Sequence, residues 1–329
     1  MTRVAIVGMG WWGRTLARSL ADSETLRPIL AVDPHPAGRE AGEALGLAVV
    51  DDLRAACARA DVDAVLLCSP HRFHAEQIEI AAAAGKHVFC EKPLCTTAAE
   101  AERALAAVRR AGIVLGIGHE RRFEPAIRKL RERIAAGEIG TILAVEGNFS
   151  QDKFLSLPPD NWRLSPSEAP VGPLSATGIH MVDLAIAVLG RPDRVWARLA
   201  TRGSSFANGD TLSVTVAFPG GASATITALL ATPFVGRFAV YGSRGWIEIR
   251  DRTHPESPSG WDVEECLRGG ERVSTFWPPH PAVRDNLDAF AAALRGEAPY
   301  PVTLDEMEAN VRTFEAVTRS AASGAIETV

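Results

Sequence analysis

Val4-Ala5-Ile6-Val7-Gly8-Met9-Gly10-Trp11-Trp12-Gly13 decides the fold of this 329-residue chain. Four apolar residues read as a buried strand, and they run straight into three glycines spaced Gly-x-Gly-x-x-Gly. The first glycine permits a tight strand-to-helix turn. The second lets a pyrophosphate approach the backbone, and the third lets the helix lie close on the sheet. Amides at the helix start then face the negative charge. A glycine-rich turn alone needs no ligand, so the context matters. A second apolar run, Ile29-Leu30-Ala31-Val32, ends at Asp33, twenty residues after Gly13. A carboxylate there can bind the adenosine ribose hydroxyls. Gly8, Gly10, Gly13 and Asp33 therefore predict a bound dinucleotide. Trp11 and Trp12 shield its pyrophosphate, unless one of them packs into the core against Ser69-Pro70.

Asp33 also chooses between cofactors. Its charge would face the extra phosphate of NADP, and Pro34 and His35 supply no fixed cation. Arg39 lies six residues on and helps only if its loop folds back. NAD is expected over NADP.

Outward from this signature, strand and helix signals alternate. Helical stretches at Ala37–Leu45 and Leu53–Arg59 precede a continuous apolar strand, Ala64-Val65-Leu66-Leu67-Cys68, the pattern of a parallel strand buried on both faces. A helix from about Phe73 to Ala84 leads to strand His87-Val88-Phe89-Cys90, which delivers Glu91-Lys92-Pro93 at its C-terminal end. Thr97-x-x-Glu100 reads as a capping box for a helix ending before Gly112, and Ile113–Ile117 is the last strand. This alternation specifies a doubly wound parallel sheet, which binds ligands beyond its C-terminal strand ends.

The pattern changes after Gly118. A helix from Pro125 to Ala136 and a strand from Thr141 to Phe149 lead into a Pro- and Ser-rich loop, 151–173. A helix follows from Gly178 to Leu189, then alternating, antiparallel-type strands over 195–276. Helices at about Ala282–Leu294 and Leu304–Ser323 close the chain. The expected fold is α/β: a dinucleotide-binding Rossmann domain at 1–119 and a substrate-binding, oligomer-forming α+β domain with a mostly antiparallel sheet at 120–329.

A net charge of −5 argues against a general nucleic-acid binder and fits a soluble cytoplasmic enzyme of a small-molecule substrate. No window approaches the ~20 apolar residues of a membrane helix. The chain starts directly in a strand, without a signal-peptide pattern. The five cysteines form no CxxC pair and read as reduced thiols, although Cys90 and Cys95 bracket Glu91-Lys92-Pro93. His71 and His74 stand three apart with no neighbour to complete a metal set, so no metal is expected.

Five stretches together resemble the Gfo/Idh/MocA oxidoreductase family over nearly the whole chain. They are the glycine signature, Cys68-Ser69-Pro70-His71-Arg72-Phe73-His74, Glu91-Lys92-Pro93, Gly118-His119-Glu120-Arg121-Arg122-Phe123, and Gly178-Ile179-His180-Met181-Val182-Asp183. The resemblance implies hydride transfer between a nicotinamide and a hydroxyl-bearing ring carbon, usually of a sugar, inositol or related polyol. It also implies a homo-oligomer, dimer or tetramer, formed through the open sheet. A non-catalytic NAD-binding regulator is the competing class; Lys92 and His180 favour the enzyme.

Alcohol oxidation removes a proton from the hydroxyl while a hydride leaves its carbon. Lys92, at a strand end beside an oxidised nicotinamide, can hydrogen-bond that hydroxyl and stabilise alkoxide charge. The resemblance gives His180 a substrate-binding or proton-transfer role and makes Glu91 a ribose ligand. It runs Ser69, Pro70 and His71 under the cofactor. His74 either caps its helix or contacts nucleotide, and Arg122 either holds cofactor or pins the domain interface. Asp183, three residues after His180, orients it, binds substrate hydroxyls or stabilises the helix. Many relatives carry an aspartate four residues before the histidine, where this chain has Ala176. That departure leaves a carboxylated aromatic dihydrodiol open as substrate. Trp162 would supply a flat wall and Arg163 a carboxylate clamp, or both merely pack the loop.

Overall fold

The computed structural model describes residues 1–329. They form two compact units, residues 1–119 with 283–308 and residues 120–282 with 309–329.

The first unit carries strands β1 (Thr2–Val7), β2 (Leu26–Val32), β3 (Ala48–Val50), β4 (Ala64–Leu67), β5 (His87–Cys90) and β6 (Leu115–Ile117). They alternate with helices α1 (Trp11–Ser19), α2 (Pro36–Glu43), α3 (Leu53–Cys57), α4 (His74–Ala83) and α5 (Ala98–Ala111). The sheet is parallel in the order β3-β2-β1-β4-β5-β6, the doubly wound arrangement that puts a switch point between β1 and β4. Every residue of β4 is buried, as its unbroken apolar run requires. The capping box at α5 forms: Thr97 Oγ1 accepts from the Glu100 amide, and Glu100 Oε2 accepts from that of Thr97. Gly112, at φ 63°, ends that helix in the left-handed region.

The second unit contains α6 (Pro125–Ala135), β7 (Ile142–Ser150) and α7 (Ile179–Leu189), then β8 (Arg194–Ala200), β9 (Thr211–Ala217), β10 (Ser223–Leu229), β11 (Val235–Gly242), β12 (Gly245–Asp251), β13 (Trp261–Leu267) and β14 (Val273–Trp277). Its nine-stranded sheet has the order β14-β13-β12-β11-β7-β10-β9-β8-β15, where β15 is Glu327–Thr328. All its pairings are antiparallel except β10 with β7. One face supplies Val145, Val214, Ile226, Phe238 and Ile249 to a core shared with Met181, Val182 and Ala185 of α7.

Two expectations give way. The closing helix α8 (Ala282–Leu294) does not complete the second domain. Its Leu287, Phe290 and Ala291 pack with Val4, Leu26 and Phe89 in the core of the first unit. Phe290 meets Phe89 edge-on at 5.6 Å, and a Cβ on Gly116 would lie 2.9 Å from the Phe290 ring. An amphipathic pattern shows that a helix has a buried face but not which sheet it covers. The other difference is a π-helical turn, Leu174–Gly178, leading into α7. The four-residue spacing of Ala176 from His180 therefore does not have α-helical geometry. Ala176 packs instead on a small cluster of Leu164, Phe206 and Leu230.

Candidate active site

In the first unit, the three glycines differ in the room around them. Gly8 has φ +89°, donates its amide to the Val32 carbonyl, and leaves no room for a Cβ, which would lie 2.9 Å from the Ser69 nitrogen. A Cβ on Gly13 would sit 2.0 Å from the Gly8 oxygen. Around Gly10 a Cβ would meet nothing within 4 Å. That open space lies at the start of α1, which no side chain caps, so its first amides are available to a phosphate. Asp33 Oδ2 accepts from the Met9 amide at 2.8 Å and Oδ1 from the His35 amide at 2.9 Å, fixing the carboxylate beside the glycine turn. These residues fit a dinucleotide. Arg39, on α2, turns its side chain back: its Nη1 donates to the carbonyls of Asp33 and Pro34 at 3.0 and 2.8 Å. Trp11 is exposed, whereas Trp12 packs against the core.

Beyond β4, Ser69 Oγ donates to Gln77 Oε1 at 2.5 Å, Pro70 follows, and His71 opens a short 3-10 turn. His74 has a different task from the expected cap or nucleotide contact. Fully buried, it sets Nδ1 2.9 Å from the Pro93 carbonyl and Nε2 2.9 Å from that of Ser69. One ring thus ties the loop after β4 to the one after β5. Lys92 is half-buried at the end of β5, and its peptide bond to Pro93 is cis. The Glu91 carboxylate lies against Gly118, where a Cβ would come within 2.5 Å of Oε2. Burial pushes the Cys68, Cys90 and Cys95 thiols well up, which keeps them protonated and unreactive. No group of three or more His, Cys, Asp or Glu side chains could hold a metal ion.

In the second unit, His180 is buried on α7 with Nδ1 3.9 Å from Glu120 Oε2 and its ring 5.7 Å from that of Phe149. Asp183 is engaged elsewhere: its carboxylate takes a two-pronged ion pair from Arg122, at 2.7 Å from Nε and 2.8 Å from Nη2. Both side chains are buried, so each neutralises a charge the other could not keep alone. Next to it, buried Arg121 bridges Asp251 at 2.5 Å and Glu124 at 3.2 Å, and Trp261 Nε1 donates to Asp251. Burial alone would lower the Arg121 pKa, but Asp251 and Glu124 outweigh it and keep the guanidinium charged. Burial raises the Glu124 carboxyl well above the usual range, against the pull of Arg121. Arg163 stacks its guanidinium 4.4 Å over the Trp162 ring and has no acidic partner, and burial lowers its pKa. The loop carrying the pair is stitched down: Asn208 Nδ2 donates to the carbonyls of Arg163 and Ala169, each at 2.8 Å.

Sequence reading passed over Glu120, Phe149 and the two carboxylates, Glu124 and Asp251, that pair with Arg121. Glu120 stood inside a quoted signature, but nothing in its spacing tied it to His180, sixty residues on.

Comparison with known proteins agrees with this architecture. The family profile described as "Oxidoreductase family, NAD-binding Rossmann fold" matches residues 2–119, and the "GFO/IDH/MocA C-terminal domain" matches 127–248. D-xylose 1-dehydrogenase (NADP(+)) 2 of Haloferax volcanii is 30% identical over 313 residues, 91% of this chain and 93% of that protein. The chain belongs to the GFO/IDH/MocA oxidoreductase family. It is therefore an NAD(P)-dependent dehydrogenase acting on CH–OH groups, with NAD as the cofactor of its Rossmann unit. Among other members, 1,5-anhydro-D-fructose reductase of Ensifer adhaerens is 32% identical over 80% of this chain and 79% of that one. The crystal structure of aldose-aldose oxidoreductase from Caulobacter crescentus, complexed with glycerol, superposes with a TM-score of 0.87 at 27% identity, covering 100% of this chain and 99% of that one. No helix is long and apolar enough to cross a membrane.

Proposed function

We propose that this dehydrogenase oxidises a hydroxyl-bearing ring carbon of a sugar, inositol or related cyclic polyol. The observation that carries this reading is the near full-length likeness to a D-xylose dehydrogenase, supported by the names of the two aldose- and anhydrofructose-acting relatives. Bound NAD supplies the hydride acceptor. Oxidation sends the carbon's hydrogen away with its electron pair and leaves one proton from the hydroxyl to be taken by the protein. In this reading Lys92 hydrogen-bonds the hydroxyl oxygen and stabilises the developing alkoxide, and His180 accepts the proton. Gly8, Gly10 and Gly13 hold the pyrophosphate end, Asp33 the adenosine ribose and Glu91 the second ribose, with Ser69, Pro70 and His71 beneath. Asp33 favours NAD over NADP, although the Haloferax relative is named for NADP(+).

One observation favours a second reading, a carboxylated aromatic dihydrodiol. Arg163 is a cation without an acidic partner, stacked on Trp162, and such a pair suits an anionic ring.

Nicotinamide absorbance decides between them. The purified protein is assayed with NAD and NADP against aldoses, inositols, sugar acids and aromatic dihydrodiols. Neutral cyclic polyols are expected to turn over fastest; turnover confined to carboxylated rings would establish the second reading. Lys92→Met keeps the stem and deletes the charge, and should lower kcat by roughly 10²-fold with NAD affinity little changed. Turnover within a few-fold of the parent would remove Lys92 from the chemistry.

A further inference from the structure

A buried polar atom without a hydrogen-bond partner costs free energy, so each one asks for a reason. Gln151 carries such an atom. The residue is 6% exposed, and its Oε1 is buried with no donor in the fold. Its backbone amide donates to the Leu229 carbonyl at 2.9 Å, carrying the β7–β10 pairing one step past Ser150. Asn208 also has a buried oxygen without a donor. That amide is already in use, however: its Nδ2 pins the carbonyls of Arg163 and Ala169, and Gly172 packs flat against it.

The strand sets the direction in which Gln151 points. Ser150 Oγ meets Asn148 Oδ1 on one face, so residues 147, 149 and 151 share the other. On that face Gly147 lies against Met181 of α7, and the Phe149 ring lies 5.7 Å from that of His180. β7 thus runs against the direction of α7. Gln151, roughly 7 Å further along the strand, lies past His180 toward the π turn 174–178. Leu230, next to the Leu229 that Gln151 bonds, packs with Leu164 and Ala176. The end of β7, the Trp162–Leu164 turn and the entry to α7 therefore meet beside Gln151.

We propose that Gln151 selects the substrate: its Oε1 accepts a hydrogen bond from a ring hydroxyl other than the one being oxidised. The proposal rests on the reading that the substrate meets His180. A carbonyl oxygen accepts from a hydroxyl but repels a carboxylate, and against a bare methylene it stays unpaired. The preferred substrate is therefore a ring with at least two hydroxyls, one at His180 and one at Gln151. A ring lacking the second leaves Oε1 buried and unsatisfied, and that penalty becomes selectivity.

The whole protein is assayed with NAD and the ring substrate it oxidises fastest, alongside analogues each lacking one of the other hydroxyls. With the parent, one analogue should lose about 10-fold or more in kcat/KM. Gln151→Met keeps the length of the side chain and removes the acceptor. It should weaken kcat/KM for the full substrate and bring that analogue to within about three-fold of it, leaving the other ratios in place. Its Tm should equal or exceed the parent's, since an apolar group replaces an unpaired buried oxygen. Gln151→Leu repeats both readings with a different shape. Ratios unchanged in the variants overturn the proposal. A Tm several degrees lower in both, or loss of fold in both, overturns it equally, because the amide would then be bound within the protein. Failure of the polyol reading looks different: the parent would turn over carboxylated rings alone, while Gln151→Met still changed the ratios among analogues of those rings.

Discussion

The His74 ring lies 2.9 Å from two carbonyl oxygens, yet a neutral imidazole has a single N–H to give. Burial lowers its pKa, and the Pro93 and Ser69 carbonyls pull only partly the other way, so folding favours the neutral ring. Its contribution to stability is therefore complete above the unfolded histidine pKa, about 6.5, and is lost as the pH falls from there through the lower folded value. His74→Ala should cost about 1–3 kcal/mol at pH 8, read by denaturant unfolding, because a buried carbonyl loses its donor. That difference should shrink at pH 5; a difference that grew there would mean the ring is charged in the fold, and a constant one that folding leaves its titration unaltered. Asp33 supports another prediction. The folded-back Arg39 already places a guanidinium beside Asp33, so Asp33→Ser alone should raise kcat/KM for NADP relative to NAD, with no basic residue added. The same change removes the acceptor of the Met9 and His35 amides, and absolute NAD affinity should fall too. A parent enzyme that prefers NADP would reverse the assignment of Asp33.

At the scale of elements, the turn from β1 into α1 offers a paired test. Gly13→Ala forces a Cβ to 2.0 Å from the Gly8 oxygen and should destabilise the protein by about 1–3 kcal/mol or more, seen as a lower Tm. Gly10→Ala meets no protein atom and should leave Tm nearly unchanged while sharply weakening NAD binding measured by fluorescence quenching. Equal loss of Tm in both would show that the turn, and not the ligand, requires Gly10. This turn was legible from the sequence because its constraints are local, as were the Thr97–Glu100 box and the glycine end of α5. The features that escaped are long-range. Asp183 was read by its spacing from His180, but its partner Arg122 is 61 residues away. The π turn at 174–178 escaped because one extra residue in a helical turn leaves no compositional trace. Just before it, Val171 adopts φ 50°, unfavourable for a β-branched residue, and no pattern announces that either.

For the molecule as a whole, the nine-stranded sheet presents a second face that its own helices do not cover in the way they cover the first. Trp196 and Arg198 on β8, Ser213 and Thr215 on β9 and Thr225 on β10 are exposed, alternating with buried neighbours. Light scattering at micromolar concentration is expected to show a dimer or tetramer joined through this face, and Thr225→Arg should shift it toward smaller species. A parent that remains monomeric would rule this out. The path of the chain carries a different consequence. It passes between the two units three times, after residues 119, 282 and 308, so no single cut releases the nucleotide-binding unit. Residues 1–119 by themselves lack Leu287, Phe290 and Ala291, the side chains that cover Phe89 and Gly116. They also lack Asn286 and Tyr300, which bond the Ile117 backbone on edge strand β6. Exchange of cofactor preference between relatives by recombination would thus need a mosaic gene, with residues 283–308 travelling alongside 1–119, and a chimera with one crossover at 119 would inherit an ill-matched core.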